Sequence, residues 1–132
     1  EPWQDKQRRL RQRLRRILPI DVHRPEPLGA PLRPRADALL SAFCLEAVSP
    51  DRASFVRALS HVGTLLRPGG HAVLLGALGE SFYLAGPARL PVGALQEAAG
   101  FALRELRSYA MPPALRTGVD DVDGVFFAHA QK

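Results

Sequence analysis

This sequence is poor in cysteine, in sulfur generally, and in long apolar runs. Of its 132 residues one is cysteine, Cys44, and one is methionine, Met111. A single thiol excludes an internal disulfide framework and suits a reducing compartment. No apolar stretch approaches the ~20 residues needed to cross a bilayer as a helix. The opening residues are polar and charged and carry no signal-peptide pattern. There is no initiator methionine either, so the expectation is that the chain starts partway through a longer protein. Hydrophobic residues make up 46% and charged residues 23%, and the length suits one domain with a real core.

The net charge of +5 is unevenly spread. Residues 1–16 hold seven basic side chains (Lys6, Arg8, Arg9, Arg11, Arg13, Arg15, Arg16) against Glu1 and Asp5. That leaves 11 of the 18 basic and 11 of the 13 acidic groups for the remaining 116 residues, which are neutral overall. The basicity belongs to one segment. Residues 3–18 read as an amphipathic helix with Trp3, Leu10, Leu14 and Ile17 on one face and arginines around them, ending at Pro19. A clustered arginine helix could bind nucleic acid. Its apolar face favours the blander reading, the solvated outer side of a crossover helix.

Further along, Ile17-Leu-Pro-Ile-Asp-Val22 reads as a short strand ending at Asp21. Residues 24–36 hold Pro25, Pro27, Pro31 and Pro34 and form an extended connection. Residues 38–45 are a short apolar run, as in a strand buried on both faces. A helix follows, with Ser49 as its cap, Pro50 in first position and Asp51 in the first turn. Phe55, Leu59, Val62 and Leu66 form its apolar stripe, and Arg67-Pro68-Gly69-Gly70 ends it. A second apolar run spans 71–78. Residues 93–107 suggest a weaker helix interrupted at Gly100, and 124–130 a last strand. Alternating strands and helices imply an α/β sheet with helical crossovers.

Several chemistries are excluded. Gly69-Gly70 is no phosphate loop, because it lacks the G-x-x-x-x-G-K-[ST] pattern and follows a helix end whose dipole repels anions. His23, His61, His71 and His129 have no metal-ligand spacing, so no metal site is expected. No Ser-His-Asp arrangement emerges.

The segment Ser41-Ala-Phe-Cys-Leu-Glu-Ala-Val-Ser-Pro-Asp51 resembles the fourth-strand motif of the phenylethanolamine, nicotinamide and indolethylamine N-methyltransferase family. Leu65-Leu-Arg-Pro-Gly-Gly70 is similar to the step into the fifth strand of class I methyltransferases. Glu80-Ser-Phe-Tyr-Leu-Ala-Gly86, and Met111-Pro-Pro-Ala-Leu-Arg-Thr-Gly-Val-Asp-Asp-Val122 running into Gly124-Val-Phe-Phe-Ala, resemble the phenylethanolamine branch. The resemblance covers almost the whole chain. It implies an S-adenosylmethionine-dependent, Rossmann-like α/β fold in which residues 1–132 are one partial, C-terminal domain. With sheet order 3-2-1-4-5-7-6, the chain would supply strand 3 and strands 4 to 7 but lack the first two strands. The strand ending at Asp21 would have no neighbour and strand 4 would expose an edge, so the isolated chain is expected to be marginally folded. The glycine-rich turn, the acidic second-strand end and the family's N-terminal lid are missing. The segment between Leu90 and Leu103 looks about two helical turns short, and Gly79 replaces an expected acidic neighbour of Glu80.

The implied chemistry is methyl transfer from S-adenosylmethionine to a small phenylethanolamine-type amine, without a metal. An aliphatic amine with a pKa near ~10 arrives protonated, so the site must attract an ammonium and let it lose a proton. Glu46 and Glu80 are the implied catalytic residues, with Asp120 on the substrate hydroxyl. Phe43, Tyr83, Met111 and Val122 would wall the aryl ring. Asp21, Val22, Ala42, Phe43 and Cys44 would contact the cofactor. Without the resemblance these carboxylates read as solvated loop side chains, Phe43 and Cys44 as buried packing, and Tyr83 as a half-buried surface ring. A truncated, inactive family member is the alternative. A cytosolic monomer that binds neither membrane nor nucleic acid completes the expectation.

Overall fold

The computed structural model describes residues 1–78, 100–112 and 124–132. Its elements run α1 (Trp3–Arg13), β1 (Ala36–Ala42), α2 (Arg52–Gly63), β2 (Leu66–Leu78), β3 (Ala102–Ala110) and β4 (Gly124–Gln131). The four strands form one sheet in the order β1-β2-β4-β3. β1 pairs parallel with β2, while β4 is antiparallel to both β2 and β3. This is the order implied for strands 4, 5, 7 and 6 of the methyltransferase sheet. The outer edge of β1 has no strand partner among the described residues.

α2 forms where its apolar residues recur at helical spacing, but its start differs from expectation. Ser49 does not cap it, because that hydroxyl is buried and donates to the Leu45 carbonyl at 2.6 Å. Asp51 takes the cap instead, accepting the Ser54 N–H at 2.7 Å. The carboxylate satisfies one of the orphan amides of the first turn. The helix also stops sooner, at Gly63, with Thr64 as its C-cap. Leu66 through Gly70 are therefore strand residues, not the helix end, and Leu66 is fully buried in β2. The pairing with β1 jumps from Ala36↔Leu66 to Ala38↔His71, so the extra residues bulge out of the ladder. Gly69 turns there at a φ of 77°, and its N–H donates to the Lys132 carbonyl.

α2 lays Phe55, Ala58, Leu59 and Val62 over Leu74, Phe126 and Ala128, with Val22 and Leu45 completing the cluster. Burying each large apolar side chain contributes about 1.5–3 kcal/mol. In β4 burial alternates residue by residue, so Phe126, Ala128 and Ala130 face α2 while Val125, Phe127, His129 and Gln131 face the other way and stay half-exposed.

Three further expectations are corrected. A helix over 93–107 does not extend past Gly100, which sits at a φ of 88°. The chain beyond it is β3, because β4 offers it an antiparallel ladder, broken once by a bulge between Leu103 and Glu105, and Leu103 and Leu106 pack on the core. Tertiary pairing overrides a helix-permissive composition. Residues 17–22 form no strand. Among the described residues no strand lies beside them to pair with, and they run irregularly into a turn in which the Arg24 N–H donates to the Asp21 carbonyl at 3.2 Å. α1 ends at Arg13 rather than at residue 18, and its Trp3 and Leu10 are exposed. An apolar stripe that meets no partner supplies little of the packing that sustains a helix. Local ion pairs, Arg8–Asp5 and Arg9–Glu1, both at 2.6 Å, hold its charged side.

Candidate functional site

The carboxyl ends of β1 and β2 lie side by side, the location where α/β sheets bind ligands. β1 leaves the sheet there abruptly. The Phe43 N–H donates to the Leu75 carbonyl at 2.8 Å, the last rung of the parallel ladder. Phe43 itself adopts a φ of 51°, a left-handed conformation that a bulky residue rarely takes. Its ring is 58% exposed. Cys44 beside it is exposed, and the turn then drives Leu45 and Glu46 back inward to 2% and 5% exposure. Ser49 fixes this turn, its hydroxyl on the Leu45 carbonyl and its N–H on the Glu46 carbonyl at 3.3 Å.

Glu46 is thus a buried carboxylate at the ligand end of the sheet. Room for it comes from Gly76 on β2. A Cβ at Gly76 would stand 2.9 Å from the Glu46 carboxyl carbon and 2.5 Å from Cε1 of Phe126. Both groups occupy space that any other residue at 76 would fill. The sequence offered one signal for this, a glycine inside an apolar strand, which often marks a close approach.

Beside the same strand end lies a hollow of 320 Å³, lined by Ile20, Val22, Leu39, Ala42, Cys44 and Val62 among others. It gathers Val22, Ala42 and Cys44 from the expected cofactor set onto one wall. Val22 reaches it because the Val22 carbonyl accepts the His61 Nδ1 contact at 2.8 Å, tying the turn after residue 20 to α2. Asp21, the next residue back, is exposed, and its Oδ1 accepts the His23 N–H at 3.0 Å. Phe43 stands one residue beyond Ala42 with its ring outside the hollow's lining. The wall is largely apolar and suits the flat face of a heteroaromatic ring, with the Asp21 carboxylate close by along the chain.

Met111 is half-buried just after β3. Glu80, Tyr83, Asp120 and Val122 lie outside the described residues, as do Gly79 and Leu90. Gly69 and Gly70 do not cradle anions: the Gly69 N–H is spent on the Lys132 carbonyl, and the Lys132 N–H donates to the Gly70 carbonyl at 2.9 Å. Among the described residues no group of three or more His, Cys, Asp or Glu could hold a metal. No described helix is long and apolar enough to cross a membrane.

Three comparisons bear on this arrangement. The model of the NNMT/PNMT/TEMT family matches residues 1–132. Phenylethanolamine N-methyltransferase of Homo sapiens is 63% identical over 142 residues, covering 100% of this chain and 50% of the relative. The Mus musculus protein of the same name is 62% identical, covering 100% and 48%. The chain spans about half the length of the curated relatives it matches. Among solved structures, an S-adenosylmethionine dependent methyltransferase from Mesorhizobium loti superimposes with a TM-score of 0.52 at 16% identity, covering 89% of this chain and 65% of that one. That likeness shows the fold.

Proposed function

The chain belongs to the NNMT/PNMT/TEMT family, and from that premise we propose that it forms the C-terminal part of an S-adenosylmethionine-dependent N-methyltransferase acting on a phenylethanolamine-type amine. The observation that carries the reading is Glu46, a carboxylate 5% exposed at the ligand end of the sheet, one residue from the hollow's Leu45. The residues present fit the methyl donor: an apolar wall of Val22, Ala42 and Cys44 for a ring face, and an adjacent carboxylate, Asp21, able to accept exocyclic amino hydrogens.

The donor supplies an electrophilic methyl group on a sulfonium. What the chain's own side chains do is bind and orient. A buried carboxylate attracts an ammonium strongly, because little water screens the pair. Glu46 holds the amine near the strand end and, through a water molecule, accepts the proton the nitrogen must lose before it becomes a nucleophile. Phe43 offers its exposed ring to an aryl group, for which offset stacking is favourable. Its left-handed backbone aims the ring away from the core. Glu80 contacts the amine and the side-chain hydroxyl, Asp120 the hydroxyl, and Tyr83, Met111 and Val122 close the aryl pocket. Holding nitrogen and methyl carbon in line accounts for much of the rate.

Residues 1–132 act on this reading as one partial domain, a cytosolic monomer in the assembled protein. A second reading, an inactive member of the same family, is favoured by the outer edge of β1, which has no strand partner among the described residues. Both are tested by joining the upstream half of a phenylethanolamine N-methyltransferase to this chain and comparing it with its Glu46→Gln variant. The reading expects methylated amine from the parent and a drop in kcat/KM of roughly 10²-fold or more in the variant, the scale of general acid–base assistance. A parent without activity supports the second reading. A variant with parental kinetics removes Glu46 from the chemistry.

A further inference from the structure

His71 and His129 are separated by 58 positions, yet the β2–β4 ladder brings their rings together. Nδ1 of His71 lies 2.9 Å from Nε2 of His129, with ring centroids 5.1 Å apart and planes tilted by 31°. The register explains the meeting. His129 pairs directly with Val73, and His71 sits one step away on the same face, two residues back along β2. That face is opposite the one covered by α2, since Ala72 and Leu74 between these residues are buried while His71 is exposed. The pair lies where β2 begins its ladder with β4, five residues before Gly76 in β2.

We propose that His71 and His129 form a two-histidine binding site for a late first-row divalent metal ion, of the zinc or copper type. One nitrogen donates and the other accepts in the present contact. If the shared proton moves to an outer ring nitrogen, two imidazole lone pairs converge on one point. Tetrahedral zinc with Zn–N distances of ~2.0–2.1 Å needs its nitrogens roughly 3.3 Å apart. The pair must open by about 0.4 Å from its hydrogen-bonded spacing, which small rotations of two side chains on a solvent-facing surface supply. Imidazole suits zinc, copper and nickel and discriminates against magnesium and calcium, which prefer oxygen. Glu105 is the cross-strand partner of His129 on β3, but its Oε1 is engaged by Arg107 at 2.5 Å, so the two imidazoles alone supply the protein's ligands. Water completes the coordination sphere, so binding is weaker than in a four-ligand structural site. The bound ion clamps β2 to β4, the central pair of the sheet.

Spacing along the chain does not reveal this pair, because strand register alone brings the two rings together.

The test uses this chain joined to the upstream half of a phenylethanolamine N-methyltransferase, and zinc chloride. Calorimetry should show one zinc bound and a raised melting temperature, with magnesium chloride inert. His71→Gln and His129→Gln should each weaken zinc roughly tenfold or more, equivalent to about 1.4 kcal/mol or more, while Cys44→Ser leaves it unchanged. Should a histidine variant fail to fold, 15N imidazole spectra of the unsubstituted chain decide: the His71 and His129 rings must shift on zinc addition while those of His23 and His61 stay. Undiminished zinc affinity in a folded double variant, or unmoved His71 and His129 resonances at saturation, overturns the proposal.

Discussion

Replacing Gly76 by alanine would test the link between fold and site at one atom. The new methyl would stand 2.5 Å from Cε1 and 2.8 Å from Cζ of Phe126, and 2.9 Å from the Glu46 carboxyl carbon. Ordinary carbon contacts begin near ~3.5 Å, so Phe126 must retreat by about 1 Å and Glu46 by roughly half that. Phe126 is 4% exposed and packed in the main cluster with Phe55 and Leu59. Overpacking a filled core costs typically about 1–3 kcal/mol, and a value near 2 kcal/mol is expected here because neither obstacle is backbone. Urea denaturation of the chain, or of the form carrying the upstream half, reads this as a lower midpoint at unchanged slope. A second substitution, Phe126→Leu, removes the nearer obstacle. The loss in the double variant should then fall short of the sum of the two single losses by about 0.5–3 kcal/mol, the range seen for contacting residues. Amine turnover should stay impaired, because the methyl still presses on Glu46. A Gly76→Ala variant that loses under 0.5 kcal/mol and keeps full activity would refute the packing argument and the placement of Glu46 together.

Phe43→Gly should raise stability by up to about 1.5 kcal/mol, since relief of a left-handed bulky residue is worth ~1–2 kcal/mol against an entropic cost of glycine of ~0.5–1 kcal/mol; the same variant should lose aryl-substrate affinity, and a lower midpoint in urea would contradict the strain. The Asp51 carboxyl is held below its ordinary 3.8 chiefly by the Ser54 N–H it accepts. A group depressed in the folded state contributes stability that is fully present above the unfolded value and is lost as pH falls through the folded one. Stability measured from pH 6 down to pH 2 should therefore fall less steeply below pH 4 in Asp51→Asn than in the parent; parallel curves would exclude the cap as a cause.

How much of this was legible from residues alone depended on how far apart in the chain the deciding groups lie. The places of β1, α2 and β4 could be read because apolar runs, a run of helical spacings and a polar cap are local, but β1, expected to be buried on both faces, has no buried residue, and Leu40 in it is 69% exposed. Even there the cap moved from Ser49 to Asp51, since nothing local shows that the Ser49 hydroxyl is taken by Leu45. β3 could not be read: Leu103 and Leu106 are three apart, as in a helix, and only the edge of β4 turns that stretch into a strand. The strand at 17–22 failed for the converse reason, a pattern that needs a neighbour. At the site, resemblance pointed to Phe43, Glu46 and the Val22–Ala42–Cys44 wall. It was silent on Gly76, whose importance comes from Glu46 thirty positions before it and Phe126 fifty after, and on the His71–His129 pair, which register alone creates.

The function proposed above has this chain supply one wall of a methyl-donor site, with the rest supplied by the half of the relatives' length that it does not span. Calorimetric titration of S-adenosylmethionine measures that directly, into the 132-residue chain and into the same chain joined to the upstream half of a relative. The account predicts negligible heat from the chain alone and saturable one-to-one binding by the joined form, weakened when Asp21 is changed to alanine. Absence of binding by a folded joined form, or binding that ignores Asp21 and the Val22–Cys44 wall, would contradict it.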